Sequence, residues 1–483
     1  MKGIRRFFFS NTTFRQTIVK NTFWLTLGQI TVRLAKIVTV IVATHTLTVA
    51  DYGVFTYILS FASVFFVAVA LVSVLGPFIR TVSTLAPEEL GRYVGTYLIW
   101  RTAAGFLTGF VLLLVASYFV DAQNLLLLAV IATSLLFDFM HDFFASLLHA
   151  RKEMQKDAAS LMVQSVVLIA VAPLALTAYA SPLVLACSYA LASAASMVIA
   201  AGYAIREYPL VFSFDHRAMP HMLRSSLEAG IAWAGFNTLL FPFLQLCVGH
   251  TGTLHEVAYT AIAIQVFQLT SLPAIFLLSA MFPVLTTLSY EEPRTHEITK
   301  LMYEGVISGL GFITCLVIVC APYATIIFGT SYESAVPAIR LMACALPAFG
   351  ISAVVFYEMM ARGMLARFFW WFVGGAATAI PSAYVYIVYA HMGAYGAAAA
   401  LVTSYWLLAI GIVYQYFSYG NLLRDSWRTV LAILIFGVFL LLGGLLQMPL
   451  MGAIAGIIGY GGVFIALPSP VRSFLAAHDS MLP

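Results

Sequence analysis

Thr22, Thr26, Gln29, Arg33 and Lys36 recur at spacings of four, three, four and three within residues 20–43, a stretch long enough to cross a bilayer. At about 100° per residue the five side chains fall within an arc of about 80° on one helix face, and the opposite face is apolar. A cation near the centre of a membrane helix costs about 2.5–3.5 kcal/mol on insertion scales, so two of them one turn apart call for a protein-lined polar interior. The stripe reads as the wall of a cavity. The competing reading is a closed bundle in which Arg33 and Lys36 each pair with a carboxylate. Under either, the two cations need partners.

Counter-charges lie further along the chain. Arg101 falls in a third apolar run, and Asp138, His141, Asp142 and His149 share one helical face of a fourth. At 1.5 Å per residue Asp138 lies about 17 Å deep and Arg33 about 20 Å deep from the same side, so the two can meet near mid-membrane. Contacts are therefore expected between the Arg33/Lys36 stripe and the Asp138/Asp142 face. Three readings of Asp138, His141 and Asp142 stay open: a static ion-pair network, a titratable set that takes up and releases protons, and a metal site, whose spacing matches no zinc pattern. No metal and no cofactor is assigned, and coupling to H+ or Na+ is left open. In the second half, Gln265 and Gln268 stand one turn apart ahead of Pro273, as further polar lining or as mutually bonded amides.

The elements that must position these residues are membrane helices. Of 483 residues, 62% are hydrophobic and 9% charged, with a mean hydropathy of +0.96, which excludes a soluble domain. About fourteen apolar runs can be placed. With the N-terminus in the cytoplasm, 20 of the 24 Lys and Arg residues fall in cytoplasmic tails and connectors, which favours an even span count with both termini cytoplasmic. Residues 1–17 are basic and aromatic and read as an amphipathic segment on the cytoplasmic leaflet. The five cysteines lie in or beside apolar runs without metal spacing, so neither disulfide nor metal is assigned. Nothing in the charge pattern points to nucleic acid.

An internal repeat orders the spans. Pro77 aligns with Pro283, and Gly105-Phe106-Leu107-Thr108 with Gly311-Phe312-Ile313-Thr314, both at an offset of 206; Asp51-Tyr52 falls within a residue or two of the same offset from Glu256–Tyr259. The organisation expected is a lobe of six spans at 18–206, a polar cytoplasmic linker at 207–224, a related lobe at 225–418, additional spans at 427–470 and a cytoplasmic tail at 471–483, with the substrate path between the lobes. An enzyme is disfavoured. The longest connector is under about 20 residues, and no Ser/His/Asp set, nucleotide-binding glycine loop or metal-ligand set is present.

The sequence resembles the multidrug/oligosaccharidyl-lipid/polysaccharide exporter superfamily, within it the polysaccharide transporter or O-antigen flippase branch. The resemblance rests on Lys20-Asn21-Thr22, on Asp51-Tyr52-Gly53-Val54-Phe55, on Ile327-Phe328-Gly329-Thr330-Ser331-Tyr332 followed by Ala335 and Ala338, and on Ala361-Arg362-Gly363. Where many relatives close the first span with an arginine, this chain has Ala43-Thr44-His45. The resemblance implies two pseudo-symmetric six-helix lobes in a V, alternating access, and translocation of a polyprenyl-diphosphate-linked oligosaccharide across the inner membrane. It also implies polysaccharide polymerase and chain-length partners beside membrane lipid. On that footing Arg33, Lys36 and Arg101 are the deep cations available to a diphosphate, with Thr22, Thr26, Gln29, Gln265 and Gln268 as polar lining. A lipid II flippase shares this charge pattern. A cation-coupled multidrug antiporter calls for a net acidic cavity, whereas the deep formal charge here is three basic residues against two acidic.

Overall fold

Hydrocarbon offers backbone N–H and C=O groups no partner, so each long apolar run closes its own hydrogen bonds as a helix. The computed structural model describes residues 14–71, 75–83, 85–118, 121–208, 239–287, 293–361, 365–416 and 454–460, with three single positions at 220, 435 and 462. The protein is an all-α, multi-pass membrane protein. Among the described residues nine helices are long and apolar enough to span a bilayer. A tenth arises if Thr330–Ala343 and Leu346–Met360 count as one span bent by 46°. That bend falls where Pro347, which has no N–H to donate, opens the second segment. The expected spans 13 and 14 lie outside the described residues except for 435, 454–460 and 462, as does most of the linker at 207–224.

The chain divides into two compact units. The first comprises Met1–Ala261, Ile326–Tyr332 and Ala383–Ala397, and the second Ile262–Thr325, Glu333–Ser382 and Ala398–Pro483. The helices of residues 14–207 are α1 (Phe14–Thr46), α2 (Val49–Leu71), α3 (Leu75–Val82), α4 (Pro87–Ala116), α5 (Ala122–Ala150), α6 (Met154–Ala178) and α7 (Pro182–Glu207). Prolines open α4 and α7, where the missing N–H would have had no intrahelical partner. At the start of α7 the Ser181 hydroxyl accepts from the Leu183 N–H at 3.3 Å, capping a turn three residues long. The main packing partners are α5 with α7, α1 with α6, and α6 with α7.

The repeat reappears in helix boundaries. From the start of α2 to the end of α3 runs Val49 to Val82, and adding 205 to each number gives 254 and 287, the bounds of α8 (Leu254–Thr287). Pro87 opens α4 as Pro293 opens α9 (Pro293–Cys320), 206 residues later. Two prolines at the same offset therefore begin equivalent helices.

One end of the first unit is a core of aromatic rings: Phe78 lies 4.2 Å from Tyr97, and Phe143 lies 5.5 Å from Phe78 and 6.0 Å from Tyr97. At the other end the start of α2, at Asp51-Tyr52-Gly53, is packed backbone to backbone. A Cβ on Gly53 would run into the Leu254 carbonyl oxygen, and Tyr332 meets Tyr52 and Tyr259 edge-on at 6.3 and 6.2 Å. Nearby the Glu256 carboxylate accepts from the Ala394 N–H at 2.8 Å, and Gly393, at φ +50, leaves room for it. The carbonyl facing Gly53 is backbone and cannot rotate away, so Gly53→Ala is expected to destabilise the first unit by about 1–3 kcal/mol, the usual cost of overpacking. A lower thermal unfolding midpoint in detergent, relative to a control such as Gly109→Ala, whose added Cβ meets no atom within 4 Å, is the check.

In the second unit Tyr405 is buried between Phe267 and Phe349, with ring centroids 5.8 and 5.7 Å away, and the Trp406 indole donates to the Cys344 carbonyl at 3.0 Å.

Candidate functional site

α1 has three distinct faces. Gly28, Val32, Ala35 and Thr39 are buried, and at Gly28 an added Cβ would lie 3.0 Å from the Ala158 backbone of α6. Leu34 and Val38 are exposed, 52% and 39%, on an apolar face suited to lipid. The stripe lies between them, about 100° around the helix from the packed face. Thr22, Thr26, Arg33 and Lys36 are half-buried and Gln29 is exposed. The contact with α6 therefore does not consume the stripe.

Lys36 and Arg33 differ in their surroundings. Arg33 has interactions within the protein. Among the described residues Lys36 makes no hydrogen bond and no ion pair within 4.0 Å; it acts on Asp138 through space. For Lys36 the contact expected with Asp138 is thus not a closed salt bridge.

Asp138 belongs to a seam of small polar side chains joining α5, α6 and α7. Its Oδ1 accepts from Gln164 Nε2 at 3.2 Å, and Ser193 lies close enough to act on its carboxylate. Gln164 Nε2 lies 3.4 Å from Ser193 Oγ, and Ser134 Oγ 3.3 Å from the same oxygen. Small hydroxyl residues let helices approach closely and hydrogen-bond across the contact.

One turn along α5 a second cluster is built on Asp157, 2% exposed. Its Oδ2 lies 2.7 Å from His149 Nε2 and its Oδ1 3.6 Å from His141 Nε2. The Ser160 hydroxyl gives its single proton to the Asp157 carbonyl at 2.7 Å, so the 2.8 Å contact between Ser160 Oγ and His141 Nε2 requires the imidazole N–H to donate. The other ring nitrogen, Nδ1, faces Asp142 at 3.8 Å, and the Asp142 side chain is 64% exposed. His141 therefore stands between a buried carboxylate and an exposed one.

Arg101 is held elsewhere. It is 2% exposed, its Nε and Nη2 donate to the Phe139 carbonyl at 3.0 and 2.7 Å, and its guanidinium carbon sits 3.6 Å over the Phe139 ring. Tyr97 and Asp142 also act on it. These contacts tie α4 to α5 and engage the guanidinium with Phe139. Gln265 and Gln268 are half-buried on α8, and among the described residues their amide side chains make no hydrogen bond. No group of three or more His, Cys, Asp or Glu side chains among the described residues could hold a metal ion.

Below this seam, at the shared end of α5, α6 and α7, Glu207 accepts from Arg151 at 2.7 Å and Lys156 at 2.6 Å, and Lys156 also pairs with Glu153 at 2.6 Å. Lys20 of α1 is fully buried here, with Nζ 3.5 Å from the carbonyl of Lys152, a residue at φ +61.

The fold has many solved relatives, and the sequence has a family. A family profile described as "polysaccharide biosynthesis protein" matches residues 18–289, more than half of the chain. The chain belongs to the polysaccharide biosynthesis protein family. No curated protein matches it. Among solved structures, the lipid II flippase MurJ in an inward closed conformation is 13% identical, with a TM-score of 0.67 over 91% of this chain and 98% of that one. An inward-facing multidrug-resistance MATE transporter of the MOP superfamily is 14% identical, with a TM-score of 0.61 over 82% and 96%. A MOP superfamily transporter from Pyrococcus furiosus is 13% identical, with a TM-score of 0.59 over 87% and 99%. At these identities the likeness shows the fold, which this family member shares with both flippases and drug transporters. The family match agrees with the polysaccharide-related family that the short motifs resemble, and the solved structures agree with it in fold.

The family match covers the whole polar seam. Asp157, Gln164, Ser134, Ser160 and Ser193 are absent from the candidate residues drawn from the sequence, whereas His149 is read there on the face of Asp138, His141 and Asp142. A signal for three of them existed: Asp157, Ser160 and Gln164 stand at i, i+3 and i+7 on one face of an apolar helix, the same kind of stripe that marks α1.

Proposed function

We propose that this protein is a flippase that moves a polyprenyl-diphosphate-linked oligosaccharide, a repeat unit of a cell-surface polysaccharide, across the cytoplasmic membrane by alternating access. The observation that carries the reading is Lys36: a half-buried intramembrane cation that makes no ion pair within 4.0 Å among the described residues, on a face of α1 turned away from its contact with α6. A lone cation in such a place is costly unless a ligand supplies the counter-charge. A diphosphate does so, and Arg33 one turn away adds a planar set of donors suited to its oxygens. Thr22, Thr26 and Gln29 continue the stripe with uncharged donors and acceptors for sugar hydroxyls. The prenyl tail stays in the bilayer.

The family description supports polysaccharide assembly as the setting. Lipid II carries the same diphosphate, so a lipid II flippase differs from this reading in the headgroup beyond it. A drug antiporter differs in charge and is disfavoured by the open lysine. A proton-coupled cycle has one specific observation in its favour: His141 bridges exposed Asp142 and buried Asp157, so its proton occupancy is linked to both faces of the seam.

The test is ligand selectivity. Purified protein is expected to be stabilised against thermal unfolding by geranylgeranyl diphosphate more than by geranylgeranyl monophosphate, and not by a hydrophobic organic cation such as tetraphenylphosphonium. Stabilisation by the cation alone would assign the cavity to an antiporter.

A further inference from the structure

We propose that Gln164 is a positioning residue that withholds Asp138 from Lys36, keeping the lysine available to the anionic group of the substrate; the inference rests on the reading of Lys36 given above. Asp138 has two competing destinations. One is the ammonium of Lys36, whose charge it feels without closing to ion-pair distance. The other is a cage in which the Gln164 amide donates to it at 3.2 Å, with Ser193 and Ser134 packed behind the amide.

Opposite charges in a protein interior attract far more strongly than in water, so an unrestrained carboxylate would move toward the lysine. The cage opposes that movement because it is dry. Gln164, Ser193 and Ser134 are 6%, 1% and 8% exposed. If Asp138 left, one N–H of the buried Gln164 amide would lose its acceptor, and leaving a buried donor unsatisfied is the costly side of hydrogen bonding. Gln164 Nε2 also lies 3.4 Å from Ser193 Oγ, which itself contacts Ser134 Oγ at 3.3 Å, so the amide is held in place from behind. Asp138 thus lowers the cost of burying Lys36 at a distance while leaving its hydrogen-bonding positions empty. A closed pair would instead have to be broken by every incoming diphosphate.

Removing the amide should release the carboxylate onto the lysine. The experiment measures binding of geranylgeranyl diphosphate to the full-length protein in detergent micelles, by quenching of intrinsic tryptophan fluorescence. Gln164→Leu keeps the volume and deletes the donor; it is expected to weaken binding about tenfold. Adding Asp138→Asn, which abolishes the competing charge, is expected to return binding to the native level or tighter. In a Lys36→Ala background, already weak, Gln164→Leu should have no further effect. Ser193→Ala, a smaller change to the same cage, should act in the same direction with a smaller loss, and it carries the test if Gln164→Leu does not fold.

A loss in Gln164→Leu that Asp138→Asn fails to restore, or that persists in full without Lys36, would make Gln164 a packing residue and overturn the proposal. Native binding by Lys36→Ala would overturn the Lys36 reading itself, and this inference with it. A Lys36→Ala loss combined with unaffected cage variants would leave that reading intact and remove only the role of Gln164.

Discussion

Reversing one charge, Lys36→Glu, is expected to reduce translocation of a polyprenyl-diphosphate oligosaccharide by at least about a hundredfold while leaving the protein folded. The size follows from two effects of one sign. The diphosphate loses a charge-assisted contact of about 1.5–3 kcal/mol, and it then meets a carboxylate in its place. The fold should survive because Lys36 makes no ion pair within 4.0 Å among the described residues and lies off the face where α1 packs on α6, so no described buried group loses a bonded partner. Leaflet-translocation rates in proteoliposomes, read beside the thermal unfolding midpoint, separate the two outcomes. An unfolded variant would mean that Lys36 is a structural cation.

Asp157→Ala should produce the reverse pattern, with stability lost before transport is considered. Its carboxylate is 2% exposed and holds two imidazoles, His149 at 2.7 Å and His141 at 3.6 Å. Deleting it removes a charge-assisted hydrogen bond between α5 and α6 and leaves His141 with a buried polar edge. We expect a loss of about 3 kcal/mol in the first unit, seen as a lower unfolding midpoint and earlier protease cleavage at the turn between α5 and α6. Asp157→Asn keeps one acceptor oxygen for His149 and should recover part of the loss. Equal midpoints for native protein and Asp157→Ala would show that the carboxylate contributes nothing to the packing.

The contrast between these residues explains what could be read from the sequence. Periodicity is local: the polar stripe on α1 and the face of Asp138, His141 and Asp142 are visible because side chains three and four apart share a helix face. The repeat was legible for the same reason, and Pro87 and Pro293 place it at the helix starts. The state of each charge was not legible, because it depends on what another helix presents. Arg101, Arg33 and Lys36 look alike in sequence as buried cations. Only α5, packed beside α4, offers Arg101 a carbonyl and a ring at Phe139. Asp157 lay unremarked near the beginning of an apolar run, where a carboxylate usually faces water, and His149 and His141 approach it from a different helix. Gln164 is neutral and so gave no charge signal at all. Its importance comes from being dry and within reach of Asp138.

The central claim is that the carried group is a diphosphate-linked oligosaccharide. Its most direct test is leaflet exchange of a fluorescent polyprenyl-diphosphate oligosaccharide in proteoliposomes containing the native protein, followed by quenching from outside, with Arg33→Ala plus Lys36→Ala as the comparison. The account predicts exchange by the native protein and its loss in a doubly substituted protein that is still folded. Absence of exchange by the native protein, together with transport of an organic cation under an ion gradient, would contradict it.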